Sequence, residues 1–166
     1  ADAAIVSAGA GGYAPWSGDG GYSILGSLGF EAFSEYTRLD LEFEYRDQSA
    51  KVGLTGVGVV KIPIDTYDLR CLFRFVFNPG GLPPYLGLGA GLRLIAVDDR
   101  ALKQAMVGLP PELLATKSYG LSGTVMALVG AEWPIFGESL AIFAEARADY
   151  AWEFTDGLSA LLDNKE

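Results

Sequence analysis

The chain has 166 residues, half of them apolar, and carries 12 Lys and Arg against 21 Asp and Glu, a net charge of -9. Its length fits a single domain over residues 1–166, long enough for a sizeable core or an eight-stranded barrel. The acidic balance excludes nucleic acid as a partner, because phosphate binding needs clustered Lys and Arg. The sequence has no His, which removes His-based triads, metal sites and general bases, and the single Cys71 permits no internal disulfide.

Any membrane crossing in this chain must be made by strands. No apolar run approaches the ~18 residues of a spanning helix. The 22 Gly residues are spread through apolar segments, which indicates crowded, curving sheet. The first four residues, Ala-Asp-Ala-Ala, resemble a mature terminus left after cleavage at small residues, so we expect the protein to lie beyond an inner membrane.

Three elements are predicted before residue 36. A strand of small residues covers 3–13, a Gly-rich loop covers 14–21, and a second strand covers 22–33. The second strand is expected to end in a tight turn at Ser34 and Glu35.

The next segment, residues 36–47, alternates between apolar and ionic side chains. Its apolar members are Leu39, Leu41, Phe43 and Tyr45, and its ionic members are Arg38, Asp40, Glu42, Glu44 and Arg46. A period of two over this length predicts a strand with one apolar and one ionic face, and excludes a helix, around which the charges would scatter. The function depends on which face looks inward.

Residues 48–63 are ambiguous, because the run 52–60 fits either a strand of its own or one side of a long hairpin tip. Two further strands are predicted at 65–77 and 84–97, and both alternate apolar residues with ionic residues or glycine. A turn joins them.

The last third of the chain begins with a change of character. Residues 98–117 predict a long loop with helix-like turns, and strands follow at 118–133 and 140–154, separated by a short turn at 134–139. The tail, 155–166, has no strand pattern. Seven strands are thus predicted, all antiparallel.

Three features of the sequence favour an arrangement in which lipid contacts the apolar faces of the strands. The predicted strands run to roughly 11–15 residues, whereas globular strands average ~5–6 and a spanning strand needs ~9–11. Short connections alternate with long ones, as in the periplasmic turns and extracellular loops of outer-membrane barrels. Aromatic rings with a polar tip, which prefer the membrane–water boundary, sit at or near strand ends and form a predicted aromatic belt: Tyr13, Trp16, Tyr22, Tyr36, Tyr45, Tyr67, Tyr85, Trp133, Tyr150 and Trp152.

With lipid outside, the ionic faces line a lumen. Buried charges persist only when they are paired and hydrogen-bonded, and these faces offer both signs. An eight-stranded barrel is just wide enough to be filled by its own side chains, so we expect a plug rather than an open pore. The predicted lumen charge network consists of Arg38, Asp40, Glu42, Glu44, Arg46, Asp68, Arg70, Arg74, Arg93, Glu132, Glu145, Arg147 and Asp149.

The pattern resembles the small outer-membrane β-barrel family of the OmpA/OmpW type. The resemblance lies in the alternation over residues 33–45, 84–92 and 140–147, and it extends over most of 3–154. It implies an antiparallel, up-and-down transmembrane barrel in the outer membrane of a Gram-negative bacterium, with a structural, adhesive or small-solute role. It also implies an even number of strands, so we expect an eighth strand from outside the seven that can be read.

The sequence predicts no catalytic site, no metal site and no cofactor. Glu145, Arg147 and Asp149 could in principle support acid–base chemistry, but a structural ion-pair network or a charged filter for small ions explains them without it. Cys71 falls on the apolar face and is interpreted as a small lipid-facing residue.

Two alternatives to a structural envelope protein remain open: a narrow channel for small solutes or ions, and a soluble lipocalin-like barrel that binds an apolar ligand. The expected partners are outer-membrane lipid and, through the loop at 98–117, other envelope proteins.

Overall fold

The computed structural model describes residues 4–14, 19–54, 58–77, 84–97, 119–135 and 141–154. These residues form seven strands: β1 (Ala4–Tyr13), β2 (Asp19–Ala32), β3 (Ser34–Leu54), β4 (Gly58–Val76), β5 (Pro84–Val97), β6 (Tyr119–Pro134) and β7 (Ala141–Glu153). Every pairing is antiparallel and joins strands that are neighbours in sequence. The described chain is therefore all-β, an up-and-down sheet curled into a half-barrel, and the prediction of seven antiparallel strands is confirmed.

The ambiguous segment at 48–63 belongs to a long hairpin. β3 continues to Leu54, β4 starts at Gly58, and the two remain in register from Thr37↔Phe75 to Leu54↔Gly58. The described part of the run 52–60 pairs with itself, with 52–54 on one side of the hairpin and 58–60 on the other. The run is therefore neither a strand of its own nor a single side of the tip, and 48–63 is not a long loop. Three predicted segments lie outside the described residues: the loop at 98–117, the turn at 78–83 and the tail at 155–166.

The two ends of the sheet are distinguished by the chain direction. We call the edge where β5 ends the upper rim, beyond which the β3–β4 hairpin continues, and the edge where β2 passes into β3 the lower rim. The turn at the lower rim is centred on Phe33, one residue before the predicted position, and Phe33 has a φ of 66°. Because a left-handed backbone brings Cβ close to the following carbonyl oxygen, this turn is strained at a residue that is not glycine.

Replacing Phe33 by Asn should relieve this strain. The ring is 97% exposed, so it contributes little packing, and Asn tolerates the left-handed region better than Phe does. We expect the free energy of unfolding to rise by about 1 kcal/mol, measured from the urea midpoint. The matched variant Phe33→Ala removes the same ring but keeps a Cβ with no polar side chain, so it should not stabilise. An equal gain from both variants would assign the effect to the ring instead.

The two faces of the sheet differ completely in chemistry. Side chains alternate between a concave face, which is largely buried, and a convex face, which is largely exposed. The convex face of β2 to β7 holds large apolar side chains that are about half exposed, among them Leu41, Phe43, Leu69, Phe73 and Leu92. The concave face holds the buried arginines and carboxylates. This is the reverse of a water-soluble barrel, whose apolar side chains pack inward.

Glycines on the concave face make room for the long ionic side chains. A Cβ at Gly29 would meet the carboxylate of Asp40, and one at Gly91 would lie 2.7 Å from Cα of Arg70 and 2.8 Å from its Cγ. At Gly91 the neighbour is backbone, so a larger residue would displace β4, and at Gly29 it would displace the Asp40 carboxylate. Glycine in a strand commonly marks such a close approach.

Candidate functional site: the ion-paired concave face

The concave face carries one connected network of ion pairs. Its members are six arginines and seven carboxylates, drawn from β3, β4, β5, β6 and β7 of the described chain: Arg38, Arg46, Arg70, Arg74, Arg93 and Arg147 with Asp40, Glu42, Glu44, Asp68, Glu132, Glu145 and Asp149. These are the thirteen residues that the sequence groups as the lumen network, and the structure brings all of them together. Each base is an arginine, whose rigid fork suits several carboxylates at once.

Arg70 lies at the centre of the network. Its guanidinium donates to Glu44 and to Asp68 at 2.5 Å each, and to Glu42 at 3.4 Å. The Arg70 and Glu42 side chains are completely buried. An isolated charge could not persist there, because desolvation would cost several kcal/mol, so Arg70 and its three carboxylates depend on one another.

Arg147 connects opposite sides of the curled sheet. It lies on β7, yet its two terminal nitrogens donate to the two carboxylate oxygens of Glu42 on β3 at 2.8 Å each. It also donates to Glu145, its neighbour on β7. A bidentate pair between strands that are four apart in the sheet fixes the curvature, because flattening the sheet would separate the two charges.

Polar contacts extend the network towards the upper rim. Arg46 and Arg93 both bind Asp149, and Arg93 also donates to Asp68 at 2.8 Å. Above them, the Tyr13 hydroxyl donates to Gln48 at 2.8 Å. Gln48 in turn donates to Thr66 at 3.0 Å, and the Arg46 guanidinium lies 5.4 Å from the centre of the Tyr13 ring. The upper part of the concave face is therefore filled by hydrogen-bonded side chains.

A small apolar cluster occupies the concave face of β4, β5 and β6 nearer the lower rim. It comprises Leu72, Tyr85, Met126 and Leu128, with Val76 packed against them. The Tyr85 hydroxyl donates to Glu145 at 2.6 Å, and Arg74, which also binds Glu145 at 2.7 Å, lies over the Tyr85 ring at 5.1 Å. The sequence assigns Leu72, Met126 and Leu128 to the polar face, but it gives no sign that they pack around Tyr85.

The predicted aromatic belt divides between the two faces. Seven members lie on the convex side: Tyr22, Tyr36, Tyr45, Tyr67, Trp133, Tyr150 and Trp152. Tyr13 and Tyr85 lie at strand ends as predicted, but their side chains point to the concave face, so including them in an outward belt was wrong. Both hydroxyls donate to a partly buried acceptor there, and an alternation pattern cannot show such a contact. Trp16 lies outside the described residues.

Convex aromatic side chains gather at both rims. Near the upper rim, Tyr45 lies 6.4 Å from Tyr22 and 5.4 Å from Tyr67, measured between ring centres, and its hydroxyl donates to Asp65 at 2.7 Å. Near the lower rim, Phe75 and Phe77 pack edge to face at 4.9 Å. Tyr119 and Phe154 add to the convex aromatics, although the sequence reasoning did not include them.

The described residues contain no group of three or more His, Cys, Asp or Glu side chains arranged to hold a metal ion. Within the same ranges no helix is long and apolar enough to cross a membrane. Cys71 is exposed on the convex face, between Leu69 and Phe73. On the concave face, the described acids and bases pair with one another.

Comparison of the chain with models of protein families, with curated proteins and with solved structures gives no match.

Proposed function

We propose that this chain forms the greater part of a β-barrel in a bacterial outer membrane, with lipid against its convex face and a non-enzymatic, structural role in the envelope. The observation that carries the proposal is the distribution of charge. Within the described chain, arginines and carboxylates lie paired on the concave face, and Leu, Phe and Val side chains lie half exposed on the other. Water would oppose this arrangement, whereas hydrocarbon favours it.

The height of the apolar surface supports the proposal. On β4 and the residue that follows it, the convex side chains from Tyr67 to Phe77 are uncharged, and Asp65 lies just above them. About ten residue steps of ~3.4 Å, tilted by ~40°, give an apolar band of about 26 Å. Outward bands of transmembrane barrels are ~25 Å tall and are flanked by aromatic girdles. The aromatic groups at the two rims fall where such girdles belong.

Strand direction supports a further strand between β1 and β7. With seven alternating strands, β1 and β7 run in the same direction, and no described residue pairs one with the other. One strand running the other way would be antiparallel to both and would complete an eight-stranded barrel. Without it, unpaired backbone groups on two edges would face lipid at a cost of several kcal/mol each.

We infer that side chains largely plug the lumen of the proposed barrel. The network and the Tyr13–Gln48–Thr66 contacts fill the upper part of the concave face, and the apolar cluster covers part of it below. We therefore favour a structural role over a channel, and we expect no single-channel conductance in planar bilayers. Discrete current steps from the purified protein would favour the narrow channel instead.

Extraction from membranes tests the proposal against a soluble barrel. The protein should stay with the outer-membrane fraction after washes with high salt and alkali, and should enter solution only with detergent. A soluble lipocalin-like barrel would appear in the aqueous fraction without detergent.

Contacts with other envelope proteins through residues 98–117 remain part of the proposal and can be tested by crosslinking from that segment.

A further inference from the structure

The turn between β2 and β3 presents a single aromatic ring to solvent. Phe33 is the one residue between Ala32 and Ser34, which are paired in register. Its side chain is 97% exposed, whereas Phe73 and Leu69 on the convex face are 41% and 51% exposed. The ring therefore stands clear of the sheet, and packing against the described residues does not account for it.

The backbone of this turn presents the ring at an energetic cost. Phe33 adopts a φ of 66°, which glycine or asparagine would adopt with less strain. Side-chain hydrogen bonds stabilise the residues that follow: the Tyr36 amide donates to the Ser34 hydroxyl at 3.3 Å, and the Thr37 hydroxyl donates to the Ser34 carbonyl at 3.2 Å. A strained residue whose ring is almost fully exposed points to a role outside folding.

The exposed charges of this turn are carboxylates. Glu31 and Glu35 lie two residues before and two residues after Phe33, and both are exposed. The arginines of β3 and β4 closest to the lower rim, Arg38 and Arg74, are buried in the concave network. A surface with an apolar centre and a negative margin suits a partner that carries the opposite charge around an apolar pocket.

We propose that the Phe33 turn, residues 31–37, is a docking site for a protein that receives the phenyl ring in an apolar pocket edged by lysine or arginine. Aromatic side chains are frequent anchors of protein interfaces, and a preformed turn lowers the ordering cost of binding. A lipid surface fits less well, because anionic headgroups would repel the two glutamates and because Phe lacks the polar tip of interfacial Tyr and Trp. The turn is exposed whatever covers the convex face, so docking there is independent of the lipid contact proposed above.

Peptide ligands selected against the full chain test the docking site. The protein is held in zwitterionic micelles, which leave its charge unmasked, and random peptides displayed on phage are selected for binding. We expect the enriched peptides to combine Lys or Arg with apolar residues. A synthetic copy of one should bind Phe33→Asn about tenfold or more weakly, measured by fluorescence anisotropy. Because this substitution is expected to stabilise the protein, a loss of binding would not come from unfolding.

Matched variants separate the ring from its charged margin. Phe30→Ala removes an exposed aromatic of β2 and should leave binding unchanged, and Phe33→Tyr should retain it. Glu31→Gln combined with Glu35→Gln should weaken binding severalfold and flatten its dependence on salt. Enriched peptides without basic residues, equal binding to Phe33→Asn, or a selection that enriches no peptide would each overturn the proposal.

Phe33→Trp measures whether lipid occupies the site instead. In vesicles of brominated phosphatidylcholine, the fluorescence that this substitution adds should not be quenched, because docking requires the side chain to lie in water. Quenching of the added fluorescence would place the side chain in the bilayer and overturn the docking site in favour of a lipid surface.

Discussion

Replacing Arg70 by Met is expected to lower the free energy of unfolding by about 3–5 kcal/mol. Methionine is long and apolar enough to occupy much of the same space, so the loss would arise from charge rather than from a cavity. Glu42, Glu44 and Asp68 would each lose the guanidinium at their centre, in a region with no access to water. Urea unfolding in vesicles or micelles, followed by Trp fluorescence, measures the change.

Arg38→Met is the matched control. Arg38 lies at one end of the network and binds two carboxylates, Asp40 and Glu132, the second of which is partly exposed. We expect its replacement to cost less than half as much as that of Arg70. If the double variant Arg70→Met/Glu44→Leu recovers part of the loss, the unpaired carboxylate is its source. Similar losses for the two single variants would show that the network has no buried centre.

Arginine in place of Leu41 should destabilise the protein in bilayers by about 2–4 kcal/mol. Leu41 lies on the convex face, is 53% exposed, and is paired in register with Cys71 at mid-height of the apolar band. In water, an exposed site of this kind would change stability by no more than about 0.5 kcal/mol in either direction. The large effect requires hydrocarbon at this position, because a guanidinium at the bilayer centre loses its hydration.

Thr37→Arg is the control near the lower rim of the same strand. The penalty for a charge on the lipid face falls to about 0–1 kcal/mol near the interface, so this variant should be nearly neutral. Measurement of both variants by urea unfolding in vesicles gives a depth dependence. Small and equal effects at Leu41 and Thr37 would indicate that water covers the convex face.

Much of the sheet could be predicted because the alternation is nearly unbroken. Arg38 to Arg46 have a period of two that only a strand can arrange on one face, and the same alternation in 65–77 and 84–97 sorted their side chains correctly. Pairing of sequence neighbours then agrees with the general tendency of consecutive strands to lie side by side. The bounds of β5, Pro84–Val97, agree with the prediction to the residue.

Other features depend on contacts that alternation does not contain. The tip of the β3–β4 hairpin is rich in Gly and Val, so its sequence fits a loop, a strand or a hairpin equally well. The hydrogen bond of Tyr85 depends on a carboxylate sixty residues away, Glu145. The pairing of Arg147 with Glu42 requires the curl of the whole sheet, which is a property of seven strands together.

A probe on the native thiol measures most directly whether lipid contacts the convex face. Cys71 is the single cysteine of the sequence and lies exposed on the convex face at mid-band, so a nitroxide can be attached without any substitution. In refolded vesicles, collision rates with oxygen, which concentrates in hydrocarbon, should be high, and those with a water-soluble nickel chelate should be low. A label that collides freely with the nickel chelate would contradict a lipid-facing convex surface.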